Sequence, residues 1–95
     1  MSYIGKKVII RGYASGVFYG TLAAQDGRQV DVENCIRLWR WHTGGQSKGV
    51  SLSAVAKTGV DRSRCTLEPA IGFMRILDAL EIIPVTPEAA ATIEG

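Results

Sequence analysis

The seven residues from Cys35 to Trp41, Cys-Ile-Arg-Leu-Trp-Arg-Trp, hold two tryptophans and two arginines and are the densest cluster of distinctive side chains in the sequence. Alternation along a β-strand would place Arg37, Trp39 and Trp41 on one face. A guanidinium beside flat indole rings suits an anionic ligand with a planar ring, such as a nucleotide, and Trp and Arg are also enriched in protein-binding hot spots. The alternative is that one tryptophan, Trp39 in the first instance, belongs to the core.

The charge distribution extends this candidate site to other parts of the chain. Residues 1–64 contain ten Lys and Arg against four Asp and Glu, whereas residues 65–95 contain one against five. This asymmetry favours a basic site built mainly from the first two thirds, although solvated surface charge would give much the same count. The predicted ligand-binding residues are Arg11, Tyr13, Phe18, Arg37, Trp39, Trp41, Arg62 and Arg64, with Arg40 as a further phosphate contact and Tyr19 as a further stacking ring.

Catalytic chemistry has little support in the sequence. His42 is the only histidine, and no carboxylate lies at a spacing that would orient it as a base for a Ser or Cys nucleophile. Cys35, Cys65 and His42 match no zinc-ligand spacing, so we predict no metal site, no cofactor and no enzymatic activity. The two cysteines are expected to be buried free thiols.

Size and composition favour one soluble domain. Ninety-five residues with 46% hydrophobic and 21% charged residues are typical of a single globular domain spanning 1–95. No apolar run approaches the length that spans a bilayer and no signal peptide is visible, so we expect a cytoplasmic protein without a membrane partner. The acidic last third argues against binding to extended nucleic acid.

Four strands are predicted before residue 42. Lys7–Tyr13 and Val17–Ala24 form a hairpin around Ala14-Ser15-Gly16, and Asp26-Gly27 is a second hairpin turn. The following strand runs from Arg28 to Val32, and a break at Glu33-Asn34 separates it from the strand Cys35–Trp41. The polar segment Thr43–Gly49 then forms a loop next to the Trp and Arg residues, where it could close over a ligand.

The remainder of the chain mixes helix and strand signals. Ser51 to Gly59 reads as a short helix with a serine N-cap and a glycine stop, and Thr86-Pro87-Glu88 starts a closing helix that runs from Pro87 to Ile93. Cys65–Glu68 predicts a short strand. The segment Ile71–Val85 fits both a helical stripe and β-branched strands, and the strand interpretation is favoured.

Together these elements predict an α+β domain in which an antiparallel sheet of five or six strands carries two short helices. A domain of this size gains stability by burying an apolar sheet face against another copy, so a homo-oligomer is expected.

Three segments of the sequence carry a resemblance to a known group of proteins. They are Arg11–Leu22 (RGYASGVFYGTL), Arg37–Trp41 (RLWRW) and Glu81–Pro84 (EIIP). In these segments the chain resembles a family of small, mostly uncharacterised phage and prophage proteins, and the likeness extends over most of its length. Ala14 stands where the family usually has glycine, and Arg40 where it usually has an aromatic residue. Phage proteins of this size are often anti-defence factors, and some, the Thoeris and CBASS anti-defence sponges, sequester a cyclic nucleotide signal without cleaving it.

The resemblance and the residues lead to one main functional hypothesis and two alternatives. The main hypothesis is a phage-encoded, non-catalytic protein that blocks host immunity by sequestering a nucleotide second messenger in the host cytoplasm. The first alternative is an inhibitor that binds a host defence protein, for instance an anti-CRISPR, through Trp39, Trp41 and the arginines. The second alternative is an accessory virion protein.

Overall fold

The computed structural model of the chain describes residues 2–44 and 51–95. Within these ranges the chain forms one antiparallel sheet of six strands and two helices, which confirms the predicted α+β fold. The strands are β1 (Lys7–Gly12), β2 (Val17–Asp26), β3 (Gln29–Arg40), β4 (Thr66–Leu67), β5 (Ile71–Ile76) and β6 (Ala79–Pro84). The helices are α1 (Leu52–Thr58) and α2 (Pro87–Glu94), and Arg62–Arg64 forms a single 3₁₀ turn. Neither helix in the described part of the chain is long and apolar enough to cross a bilayer.

The sheet is organised around the long strand β3, which has different partners along its length. On one side β3 pairs with β2. On the other side its first half pairs with β5 and its last residues pair with β4. The strand β6 pairs with β1 at the opposite edge, yet only Leu77 and Asp78 separate β5 from β6. The sheet must therefore curl until its edges approach, and Ala79 N donates a hydrogen bond to Arg28 O at 3.0 Å across this closure.

Two apolar clusters cover opposite faces of the sheet. The inner cluster, inside the curl, consists of Val8, Ile10, Phe18, Leu22, Val30, Val32, Cys35, Ile76 and Ala79. The helix-side cluster consists of Ile9, Val17, Tyr19, Ile36, Leu38, Val55, Ala56, Val60, Ala90 and Ile93. Both faces of β1 and β2 are thus buried, which explains their continuous apolar runs. Burial on two faces gives this small chain far more apolar contact than a sheet with one wet face.

The predicted break at Glu33-Asn34 is wrong, because β3 continues through it as a β-bulge. Asn34 has a φ of 51°, and the pairing with β2 shifts register between Tyr19 and Thr21 on the opposite strand. A bulge adds one residue to one strand and reverses which face the later side chains occupy. Val32 and Cys35, three residues apart, therefore both lie in the inner cluster.

The helix predictions and the strand interpretation of 71–85 are confirmed. The Ser51 side chain accepts from Ala54 N at the start of α1, and Gly59, with a φ of 87°, ends that helix. The Thr86 side chain caps α2 in the same way. Residues 71–85 contain β5 and β6, which pair with β3 and β1 respectively. Most of the predicted loop Thr43–Gly49 lies outside the described residues.

Asp78 anchors the turn between β1 and β2 from the far end of the chain. Its carboxylate accepts hydrogen bonds from Ala14 N at 2.8 Å, from Ser15 N at 3.1 Å and from the Ser15 hydroxyl. These hydrogen bonds favour the ionised form, and the pKa of Asp78 is lowered, chiefly by the Ser15 hydroxyl. The β5–β6 link thereby holds the first hairpin in place.

We expect Gly20→Ala to destabilise the protein, because Gly20 faces the bulge at close range. A Cβ atom there would meet the Val32 side chain and would lie 2.8 Å from Glu33 O, a backbone atom that cannot move aside freely. The expected loss in the free energy of unfolding is about 1–3 kcal/mol, measured by urea denaturation. Gly72→Ala on β5 is the matched control, since nothing lies within 4 Å of its Cβ position. Equal stabilities for the two variants would contradict this account of the bulge.

We expect Asp78→Asn to lower the melting temperature at neutral pH and to have progressively less effect in acid. Because the folded-state pKa is depressed, the carboxylate stabilises the fold above its unfolded-state pKa of about 3.9, and this contribution is lost as the pH falls through the folded pKa. Thermal unfolding of both proteins at about pH 7 and about pH 3 measures the difference. If the difference in melting temperature between wild type and variant is the same at both pH values, the charge of Asp78 does not cause that difference.

Candidate binding site

A cleft forms where the chain leaves β3 and meets the 3₁₀ turn. After Arg40 the chain runs antiparallel to residues 59–61, with an isolated bridge between Thr43 and Val60. Asp61 N donates to His42 O at 2.9 Å, and Gly44 N donates to Gly59 O at 2.9 Å. These backbone contacts bring the end of β3 beside the 3₁₀ turn and β4, although the two segments are about twenty residues apart in sequence.

The cleft has a volume of about 610 Å³ and is lined by charged, polar and aromatic side chains. Its lining residues are Arg40, Trp41, His42, Ser63, Arg64, Cys65 and Thr66. They supply two guanidinium groups, an indole, an imidazole, two hydroxyls and a thiol. Guanidinium groups recognise phosphate or carboxylate oxygens, and an indole offers a flat surface to a planar ring.

Neither arginine of the cleft is neutralised by an acidic partner. The ion pairs among the described residues are Lys7–Glu94, Arg11–Glu81 and Arg75–Asp31, so none involves Arg40 or Arg64. Arg64 Nη1 instead lies 3.3 Å from His42 Nε2. Unpaired cations that share one concave surface raise the local concentration of anions.

Asp61 lies at the start of the 3₁₀ turn beside the cleft, and its carboxylate is already hydrogen-bonded. Asp61 accepts from Ser63 N at 3.1 Å and from the Ser63 hydroxyl at 2.7 Å, and the Ser63 hydroxyl is the main reason that the pKa of Asp61 is lowered. The charge of Arg64 lowers this pKa further, by a smaller amount. Asp61 therefore fixes the 3₁₀ turn that presents Arg64. Burial raises the pKa of Cys65, so its thiol stays protonated near neutral pH.

A second feature, the Arg37–Trp39 patch, lies on the inner-face side of β3 and consists of Arg37, Trp39 and the residues that hold them. The Arg37 guanidinium lies 4.7 Å from the Phe18 ring centroid and 5.2 Å from that of Trp39, and it donates to Ser15 O at 3.2 Å. Trp39 Nε1 donates to the Glu68 carboxylate. Trp39 is nevertheless 59% exposed, so the alternative that placed it in the core is wrong.

The prediction that Trp41 shares a face with Arg37 and Trp39 is wrong. Trp41 packs against the helix-side cluster and lines the cleft. The reason is that β3 ends at Arg40 and its pairing with β4 shifts register after Leu38, so strand alternation does not continue to residue 41. The single predicted site is therefore divided into the Arg37–Trp39 patch and the cleft.

Two more predicted ligand-binding residues have structural roles. Phe18 is 1% exposed in the inner cluster, where a ligand cannot stack on it, because both faces of β2 are covered. Arg62 donates from Nη1 to Ile93 O at 2.9 Å and to Thr92 O at 3.3 Å, so it caps the carboxyl end of α2 instead of facing the cleft.

Arg11 and Tyr13 lie on β1 and the turn that follows it, and the structure places neither among the cleft residues. Arg11 forms an ion pair with Glu81 at 2.7 Å. Tyr13 is 80% exposed. Of the eight predicted residues, only Trp41 and Arg64 come together in the cleft.

The cleft also contains residues that the sequence did not single out as a group. From the sequence, His42 is a candidate only for a catalytic base or a zinc ligand, and neither Ser63 nor Thr66 is a candidate site residue. The available signal was Asp61 followed two residues later by Ser63, a pattern typical of an Asx turn that would direct Arg64 outward. Among the described residues no three His, Cys, Asp or Glu side chains are grouped so that they could hold a metal ion.

We expect Phe18→Ala to lower the stability of the protein much more than Trp39→Ala does. Removal of the buried Phe18 ring should lower the free energy of unfolding by about 3–5 kcal/mol, whereas truncation of the exposed Trp39 should cost no more than about 1 kcal/mol, the scale of its cation–π contact. Chemical denaturation of the two variants measures both losses. A loss of several kcal/mol in the free energy of unfolding for Trp39→Ala would instead indicate that Trp39 is a core residue.

Comparison with known proteins identifies a family but no characterised relative. No curated protein and no solved structure shows significant similarity to the chain. A family described as a domain of unknown function, DUF6948, matches residues 5–93. This match runs from two residues before β1 to the last turn of α2 and so includes the whole sheet, the cleft and the Arg37–Trp39 patch. The chain therefore belongs to the DUF6948 family.

Proposed function

We propose that this protein is a non-catalytic binding protein whose cleft holds a small nucleotide. The observation that carries this proposal is the position of two arginines, Arg40 and Arg64, beside the Trp41 indole in one cleft, where neither forms an ion pair within the described part of the chain. In this arrangement the arginines bind phosphate oxygens and the indole contacts the base. The hydroxyls of Ser63 and Thr66 are available to ribose or phosphate oxygens.

The size of the cleft suits a compact ligand better than a polymer. Its volume of about 610 Å³ lies within the range of roughly 300–1,000 Å³ that is usual for small-molecule sites. Two guanidinium groups match one or two phosphates, whereas tight binding to extended nucleic acid depends on many phosphate contacts. A cyclic nucleotide or a cyclic ADP-ribose compound fits both the volume of the cleft and the number of phosphates that two arginines can bind.

The state of the reactive groups favours binding without turnover. His42 Nε2 contacts Arg64, whereas the Ser63 hydroxyl donates to Asp61 and the Cys65 thiol to Arg62 O, so neither nucleophile is paired with this ring. The raised pKa of Cys65 keeps its sulfur in the weakly nucleophilic thiol form. A ligand bound in this cleft would be retained instead of cleaved.

The biological role proposed for this binding is sequestration of a host immune signal by a phage-encoded protein in the host cytoplasm. Support comes from the resemblance of the Arg11–Leu22 and Arg37–Trp41 segments to phage and prophage proteins, some of which act as nucleotide sponges. A homo-oligomer remains part of the proposal. Ile71 and Phe73 are about half exposed on β5, an edge strand of the described sheet, where a second copy could cover them.

A second candidate function is inhibition of a host defence protein through the Arg37–Trp39 patch. The supporting observation is that an indole with 59% of its surface exposed is held in place by the Arg37 guanidinium and the Glu68 carboxylate. Immobilised tryptophan and arginine side chains are frequent hot spots in protein interfaces, because little side-chain entropy is lost on binding.

The nucleotide proposal is tested by isothermal titration against cyclic dinucleotides, cyclic trinucleotides and cyclic ADP-ribose compounds. We expect one class to bind saturably and to stabilise the protein by roughly 3 kcal/mol at a hundredfold excess over Kd. Arg40→Gln and Arg64→Gln should each weaken binding by roughly 1.5–3 kcal/mol, because each removes a charge-assisted hydrogen bond.

Arg28→Gln is the matched control, since Arg28 is also an exposed arginine but lies at the β2–β3 turn, away from the cleft. It should bind like the wild type. Binding that survives both cleft substitutions would place the nucleotide site elsewhere. Failure to bind any nucleotide, together with capture of a defence protein that Trp39→Ala abolishes, would favour the second candidate.

A further inference from the structure

We infer that anion binding in the cleft is controlled by protonation of His42, whose neutral ring holds Arg64 and whose protonated ring releases it. The inference rests on the proposed function and adds a regulation to the same site. It starts from one contact, the 3.3 Å between Arg64 Nη1 and His42 Nε2. A guanidinium has donors only, so His42 Nε2 must be the acceptor in this contact.

This contact fixes the protonation state of the imidazole. A ring nitrogen that accepts a hydrogen bond carries no proton, so His42 is neutral in this structure and its proton is on Nδ1. Nδ1 is buried and has no hydrogen-bond partner among the described residues. Arg64 is therefore the side chain that selects this tautomer within the described part of the chain.

The charged groups around His42 determine what a second proton on the ring would do. Arg64, in the 3₁₀ turn, and Asp61, the residue before this turn, both lie close enough to His42 to interact with it electrostatically. The Asp61 carboxylate is already hydrogen-bonded to Ser63. Arg40, the last residue of β3, and Cys65, the residue before β4, line the same cleft as His42, and the Cys65 thiol is protonated. Arg62 faces away, toward the backbone carbonyls of α2.

Protonation of His42 would change the cleft in two ways. Nε2 would become a donor, so Arg64 could no longer donate to it and would be released toward the cleft. The imidazolium would also add a positive charge beside Arg64 and Arg40. The Asp61 carboxylate, which is hydrogen-bonded to Ser63, would neutralise only part of this added charge. Both changes favour an anion, so the affinity of the cleft for an anion should rise when His42 gains a proton.

The test uses sulfate, because the charge of this anion is constant between about pH 5.5 and about pH 8, unlike that of a phosphate monoester. Sulfate binding is followed through the side-chain NMR signals of Arg64 and Trp41 in the full chain. We expect the affinity to increase about tenfold from about pH 8 to about pH 5.5, the effect of one added charge near a surface site. His42→Gln, which cannot titrate, should show no such increase.

A second measurement needs neither ligand nor variant. His42 is the only histidine in the sequence, so ¹⁵N NMR of untagged protein reports its tautomer without ambiguity. We expect the proton on Nδ1 at about pH 8. A dominant Nε2-protonated tautomer would overturn the inference whatever the outcome of the binding experiments.

The binding outcomes separate this inference from the proposed function. Sulfate binding at the cleft with the same affinity at both pH values would overturn the control by His42 and leave the nucleotide site in place. An equal pH effect in wild type and His42→Gln would also overturn it. No response of Arg64 or Trp41 to sulfate at either pH would remove the anion site itself, and the proposed function with it.

Discussion

The close approach of Gly20 to the bulge at Asn34 is the constraint on which the rest of the structure depends. Before the bulge, alternate residues of β3 such as Val32 point into the inner cluster; after it, Ile36 points to the helix side and Arg37 to the inner side. One extra residue thus exchanges the faces of the second half of the strand. Only a residue without a Cβ atom lets β2 pass the bulge at this distance.

This change of face allows one strand to serve two environments. The first half of β3 completes the inner cluster with β5, and the second half provides the floor for α1 and α2 while its end opens into the cleft. The Arg37–Trp39 patch and the cleft lie on the same strand and are separated by the loss of alternation after Leu38. The positions of both candidate binding surfaces therefore follow from the irregularities of a single strand.

Features set by local interactions were predictable from the sequence, whereas those that depend on non-local pairing were not. The turn at Asp26-Gly27, the N-caps of both helices and the strands after residue 71 follow from neighbouring residues, and the structure contains them. Phe18 was predicted to contact a ligand because a sheet with one wet face was assumed. The position of Trp41 depends on the bridge from Thr43 to Val60, which no short-range pattern encodes.

The helices, finally, determine the cleft although they line none of it. Gly59 ends α1 with a φ of 87° at a position where a Cβ would collide with the Thr92 side chain of α2. The Thr92 hydroxyl accepts from Val60 N at 3.0 Å, and the next residue, Asp61, donates from its backbone to His42 O. The helix pair thereby fixes residues 59–61, and these fix both His42 and the turn that carries Arg64. The backbone that carries Arg64 is therefore held in place before a ligand arrives, so binding does not have to pay the entropic cost of ordering it.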